Sequence, residues 1–172
     1  MSFLSRLLGR NNDPREKLRP LWFRVVEISR LPEYYARSRV ADTVEGRFDM
    51  VVTITALTML RMERSRTLAP KTAALTELFV DDMDGQLRES GVGDVVVGKP
   101  MGKLMSALGG RTGALREGLA NEDDALLVAA VKRNVTFGDG GSPECVARKL
   151  RGFAATIAAM DYDELLQAEL SL

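Results

Sequence analysis

The chain of 172 residues is 45% hydrophobic and 28% charged, which is typical of one folded domain and excludes a disordered or multi-span membrane chain. It contains no histidine and a single cysteine, Cys145, which excludes histidine-based catalytic triads, histidine-ligated zinc or haem, and intrachain disulfide bonds, so we expect neither a metal nor a cofactor. The 24 basic and 24 acidic residues cancel, but residues 1–40 carry nine Lys/Arg against four Asp/Glu. This excess of positive charge indicates either an anionic partner, such as phospholipid or ribosomal RNA, or an uneven surface charge that has no function.

Residues 1–12 form a short basic segment with an amphipathic pattern. Phe3, Leu4 and Leu7 fall on one face of a helix, and the arginines of the segment turn away from it. The pattern predicts a segment that lies on a membrane surface, packs on its own domain, or frays. We expect a separate domain to follow it over residues 13–172.

The pattern of residues 13–172 is helical nearly throughout. The most apolar run, residues 50–62, is too short to span a bilayer and predicts a buried central helix at about 47–66. A glycine pair, Gly109-Gly110, predicts the end of a short helix that begins near Met101. The sequence therefore predicts one all-α domain with its remaining helices at 13–30, from Pro70 to Gly91, and at about 111–120, 123–136, 143–159 and 162–169.

One motif resembles a phosphate-binding loop but lacks its essential end. Gly93, Gly98 and Lys99 match the GxxxxGK spacing, whereas Pro100 stands where a Ser or Thr must hold magnesium. A long helix also precedes the motif, where a buried strand is required. The sequence therefore argues against nucleotide binding.

Three aspartates, Asp81, Asp82 and Asp84, lie close together on a predicted helix. One helix cannot aim all three carboxylates at one ion, which disfavours a metal site. Asp82 lies on or beside the apolar stripe, so we expect it to pair below the surface with an arginine such as Arg47 or Arg133. Partner binding through the aspartates is the alternative.

Methionine and leucine alternate on one face of the predicted helix that starts near Met101. Methionine-rich faces adapt to partners of variable shape, although core packing is the more common explanation of such a face. The face consists of Met101, Leu104, Met105 and Leu108.

Several blocks of the chain, between about residues 15 and 160, resemble the ubiquinol–cytochrome c chaperone family. The most specific block runs from Asp42 to Asp49, and it combines with the turn Gly91-Val92-Gly93-Asp94. The residues that carry the resemblance are Tyr34, Asp42, Gly46, Arg47, Phe48, Asp49, Asp82, Asp84, Gly91, Gly93, Asp94, Arg133 and Asn134.

This resemblance implies a non-enzymatic assembly chaperone that binds newly made cytochrome b and promotes assembly of ubiquinol–cytochrome c reductase. It implies a bacterial, cytoplasmic protein, peripheral at the inner membrane where residues 1–12 contact it, with the ribosome as a further partner and no DNA. A small helical lipid- or quinone-binding protein or enzyme, with Asp82 and Arg47 as its polar pair, is the alternative. The candidate client surface is Phe3, Leu4, Leu7, Met101, Leu104, Met105 and Leu108.

Overall fold

The computed structural model describes residues 13–89 and 99–167. Within them the chain forms seven α-helices and no strand, which confirms the predicted all-α fold. Short helical turns at Glu16–Leu18, Glu33–Arg37 and Ala69–Lys71 link some of the helices. The helices are α1 (Arg19–Ser29), α2 (Val44–Glu63), α3 (Thr72–Glu89), α4 (Lys99–Ala120), α5 (Ala125–Asn134), α6 (Pro143–Ala159) and α7 (Tyr162–Leu166).

Helix α2 is the centre of the fold, as the apolar run predicts. It packs against α1, α3, α4 and α6, and every residue from 49 to 58 is buried. The hydroxyls of Thr53, Thr55 and Thr58 donate to carbonyls one turn earlier, at 2.7–3.0 Å, so no buried hydroxyl of this run lacks an acceptor. Among the described residues, no helix has both the length and the hydropathy that crossing a bilayer requires.

Helix α2 begins three residues earlier than predicted because Thr43 caps it. The Thr43 hydroxyl accepts a hydrogen bond from the Gly46 amide at 3.2 Å. Gly46 allows the loop before α2 to pass close by: a Cβ added there would lie 2.0 Å from the carbonyl oxygen of Ala41. Ala41 in turn donates to the Thr136 carbonyl at 2.9 Å. The start of α2 is thereby tied to the segment that follows α5.

The predicted break at Gly109-Gly110 is wrong, because α4 runs through it without interruption. Leu104, Leu108 and Leu115 are all buried and keep one helical stripe facing the core across the glycine pair. Glycine weakens a helix by only about 1 kcal/mol per residue, which this continuous packing outweighs. Tertiary contacts therefore override the local preference.

The later helices lie close to their predicted positions. Helix α6 spans Pro143–Ala159 as predicted, and the Ser142 hydroxyl caps it by accepting from the Cys145 amide. A capping box between Asp161 and Glu164 starts α7 at Tyr162, the residue at which the predicted helix begins. Arg61 of the central helix α2 donates to the Ile157 carbonyl at 2.7 Å. This carbonyl lies in the last turn of α6, where it has no partner within its own helix.

The close approach at Gly46 makes a matched pair of glycine substitutions informative. We expect Gly46→Ala to lower the free energy of unfolding by roughly 2–4 kcal/mol, since the new methyl group meets backbone that cannot move independently. Gly102→Ala, in α4, meets no atom within 4 Å and should raise that free energy by about 0.5–1 kcal/mol. Urea denaturation of both variants measures the difference. Equal effects at the two positions would contradict the close approach.

Candidate functional site

The predicted apolar residues in the first half of α4 differ in their exposure to solvent. Met101 and Met105 are 55% and 46% exposed, whereas Leu104 and Leu108 are only 3% and 2% exposed. The two leucines therefore belong to the core and do not contribute to a free surface. The predicted face thus contains two residues that a partner can reach.

Small, exposed residues border the two exposed methionines of α4. Gly102, Gly109 and Gly110 are exposed, and a Cβ added at any of them would meet no atom within 4 Å. Packing within the described residues therefore does not require these glycines, although each costs the helix about 1 kcal/mol relative to alanine. The outer α4 face, as we call this surface, comprises Met101, Gly102, Met105, Ser106, Gly109 and Gly110.

A buried ion pair lies on the inner side of the same helix. Arg111 of α4 donates through Nη2 to Oδ1 of Asp49 on α2, and both side chains are about nine-tenths buried. The other oxygen of Asp49, Oδ2, accepts from the amide of Thr136 at 2.9 Å and from its hydroxyl at 2.7 Å. Arg111 Nη2 also donates to the Asn134 carbonyl at 2.8 Å. The pair therefore joins α2, α4 and the end of α5.

The surroundings of Arg111 explain why it needs this partner. Its guanidinium carbon lies 5.7 Å from the centre of the half-buried Phe48 ring, which adds a cation–π contact. Burial lowers the pKa of Arg111, and the adjacent Asp49 carboxylate acts in the opposite direction. A buried guanidinium without a carboxylate would be costly, so Asp49 is the residue that makes the position of Arg111 tolerable.

The predicted pairing of Asp82 with Arg47 or Arg133 is wrong. Asp82 is half-buried and accepts a hydrogen bond from Gln86 at 3.3 Å. Arg47 instead binds Asp42 at 2.6 Å across the start of α2, and Arg133 is exposed. Because Asp82 stays in contact with water, it does not need a cation. The alternative of an enzyme built on Asp82 and Arg47 thereby loses its polar pair.

The other residues that carry the resemblance to the family lie in different parts of the fold. Tyr34 is in the core, where burial raises the pKa of its hydroxyl, and Asp84 is half-buried on α3. Asn134 contributes its backbone carbonyl to the ion pair. The predicted residues that lie outside the described part of the chain are Phe3, Leu4, Leu7, Gly91, Gly93 and Asp94.

Sequence reasoning missed Arg111 and Thr136, although one pattern could have revealed the first. Arg111 occupies the position between Leu108 and Leu115 on the buried stripe of α4. An arginine on such a stripe predicts a buried carboxylate partner. No comparable pattern marks Thr136, because its contact depends on how the loop after α5 folds back.

The fold and this surface define a class of protein: an all-α domain with an exposed apolar helix face, which is typical of protein-binding modules. Within residues 13–89 and 99–167, no group of three acidic or cysteine side chains is placed to hold a metal ion. The family model of the ubiquinol–cytochrome c chaperone matches residues 36–172. The chain therefore belongs to this family, which confirms the resemblance seen in the sequence.

The fold is also similar to a solved structure. The crystal structure of the Cbp3 homolog from Brucella abortus matches with a TM-score of 0.81 and 26% sequence identity. The match covers 98% of this chain and 96% of that chain. No curated protein matches the chain at a significant level.

The buried pair generates a double-mutant test. We expect Asp49→Asn to lower the free energy of unfolding by about 3–5 kcal/mol, because it leaves the Arg111 charge buried without its counter-ion. Arg111→Met added to Asp49→Asn should recover at least half of that loss, since no unpaired charge then remains. Chemical denaturation of the two single variants and the double variant measures the coupling.

An ion pair on the surface provides the control for this double-mutant test. Asp42→Asn breaks the ion pair with Arg47, whose side chains are 60% and 58% exposed, and should cost no more than about 1 kcal/mol. Strictly additive effects of the Asp49 and Arg111 substitutions would show that the pair does not act as a unit.

Proposed function

We propose that this protein is a non-enzymatic assembly chaperone that binds newly made cytochrome b through the outer α4 face until ubiquinol–cytochrome c reductase is assembled. Membership of the ubiquinol–cytochrome c chaperone family is the observation that carries the proposal. The similarity to the Brucella abortus Cbp3 homolog supports it. The position of the two exposed methionines supports the choice of surface.

The chemistry of the outer α4 face suits an unassembled membrane helix. Met101 and Met105 have flexible, polarisable side chains that adapt to apolar surfaces of different shape. The glycines beside them leave the backbone of α4 uncovered, and small residues are what allow two helices to approach closely in membrane proteins. A transmembrane segment of the client can thus pack on α4 before its own partners are present.

The location of this activity follows from the client. A chaperone that meets cytochrome b as it is made works in the bacterial cytoplasm beside the inner membrane. Residues 1–12, whose sequence pattern is that of a basic amphipathic segment, provide a peripheral membrane contact. The basic residues of 1–40 provide a contact with the ribosome, whose RNA is anionic.

Exchange of the two methionines tests the client surface. We expect Met101→Gln/Met105→Gln to reduce the capture of cytochrome b by about tenfold or more, because glutamine keeps the length and helix preference of methionine but removes the apolar contact. Crosslinking of the tagged protein in respiring cells, followed by quantification of cytochrome b, measures the change. Cells that depend on the variant should contain less active ubiquinol–cytochrome c reductase.

Leu126 supplies the matched control, since it is 51% exposed on a different helix, α5. Leu126→Gln should leave the capture of cytochrome b unchanged. An equal loss in both variants would show that capture does not depend on the outer α4 face. Normal amounts of the reductase in cells that lack the protein would contradict the chaperone function itself.

The glycines of α4 offer a second test in which stability and function move in opposite directions. We expect Gly109→Leu to leave the fold at least as stable as the parent, because leucine favours helix and no atom stands within 4 Å of the added Cβ. The same side chain should hold a client helix away from α4 and weaken the capture of cytochrome b. Unchanged capture with raised stability would show that the glycine does not serve the client.

A further inference from the structure

A cleft of about 580 Å³ opens at the corner where α1 ends and α2 begins. Most of its lining is apolar, and the Tyr35 ring is held in place because its hydroxyl donates to the Ser29 carbonyl at 2.7 Å. Burial raises the pKa of Tyr35 to about 12, so the ring is a neutral wall. The cleft is lined by Arg30, Pro32, Tyr35, Ala36, Asp42 and Arg47.

The charges of the cleft do not cancel. Arg47 is paired with Asp42 at 2.6 Å, which leaves Arg30 without a carboxylate of its own in the lining. Arg30 and Arg47 both line this cleft together with Tyr35, so their positive charges border the same space. Within the described part of the chain no salt bridge is formed by Arg30, and the cleft therefore keeps one uncompensated positive charge beside an apolar wall.

The acidic residues that lie near the cleft are directed elsewhere. Glu33 binds Lys149 of α6, which lowers the pKa of the Glu33 carboxyl. Glu45 accepts hydrogen bonds at the beginning of α2, where its own backbone amide and the Thr43 side chain hold its pKa low. Two further arginines, Arg37 and Arg39, are exposed on the same connection between α1 and α2. An anion that approaches this corner therefore meets mainly positive charge.

The two helices that meet at the cleft each carry an exposed apolar side chain. Phe23 and Val44 are each 64% exposed. Phe23 lies seven residues, or two helical turns, before Arg30 and so on the same side of α1, and Val44 follows Asp42 at the first turn of α2. Arginines beside exposed aromatic and aliphatic groups are typical of surfaces that rest on a bilayer.

We propose that this cleft binds the phosphate of an anionic phospholipid headgroup between Arg30 and Arg47, with Phe23 and Val44 reaching the acyl boundary. A lipid fits better than a free phosphate ion because only a lipid offers apolar contacts to Phe23 and Val44. The site is separate from the outer α4 face and does not need a client. It places the start of α2 against the membrane that receives cytochrome b.

Flotation of the full-length protein with vesicles tests the site. The probes are vesicles of pure phosphatidylcholine and vesicles in which a quarter of the lipid is phosphatidylglycerol, each in low and high salt. The parent protein should bind the phosphatidylglycerol vesicles, and Arg30→Gln should weaken that binding about fivefold, with a larger loss for Arg30→Gln/Arg47→Gln. The single Arg30 variant has no ion pair to lose, so its fold should persist as measured by thermal unfolding.

Two arginines at the far end of α2 provide a control with the same change of net charge. Arg64 and Arg66 are exposed and follow the last turn of this 20-residue helix, roughly 30 Å from the cleft. Arg64→Gln/Arg66→Gln should bind the vesicles like the parent. An equal loss of vesicle binding in both double variants would show that net charge alone causes binding and would overturn the site. A parent protein that does not bind the phosphatidylglycerol vesicles would overturn it as well.

Two further measurements separate this proposal from its alternatives. Displacement of the protein from vesicles by millimolar inorganic phosphate would assign the cleft to a free anion and overturn the lipid assignment. Capture of cytochrome b in detergent by the Arg30→Gln/Arg47→Gln variant should equal that of the parent. A failure of vesicle binding with normal capture would therefore overturn the lipid site and leave the chaperone function standing.

Discussion

The buried pair of Asp49 and Arg111 is the interaction on which the arrangement of the helices depends. One carboxylate holds the guanidinium of α4 through one oxygen and the segment after α5 through the other. Because a charge left alone in this position would cost several kcal/mol, neither helix can slide along the other without separating the pair. Apolar contacts hold the helices together, and we infer that this pair specifies their register.

The register that the pair sets decides what α4 presents to solvent. With Arg111 and the leucines at 104 and 108 turned inward, helical geometry leaves the glycines and Ser106 on the opposite side, with Met105 at the edge of that side. A rotation that exposed Leu104 would also pull Arg111 from Asp49. The client surface proposed for α4 is thus a consequence of a polar contact inside the fold, although no residue of that contact is part of the surface.

The sequence predicts the elements of this fold better than the contacts between them. Continuous apolar character marks α2, and helical patterns mark the starts of α6 and α7, because these patterns are local. The break expected at Gly109-Gly110 fails since the packing of α4 outweighs two weak residues. The partner of Asp49 lies 62 residues away, and no local pattern relates the two, so the prediction placed the buried charge at Asp82 instead.

The block from Asp42 to Asp49, which carries much of the resemblance to the family, is largely structural in this fold. Gly46 allows close passage of the preceding loop, and Asp49 forms the ion pair with α4. Asp42 and Arg47 face outward and line the cleft beside α1. This short stretch therefore contributes both to the packing of the core and to the surface of the cleft. To test the surface role alone, a substitution in the stretch must leave the core contacts intact. Arg47 and Asp42 meet this condition, since their side chains remain more than half exposed while Gly46 and Asp49 are buried.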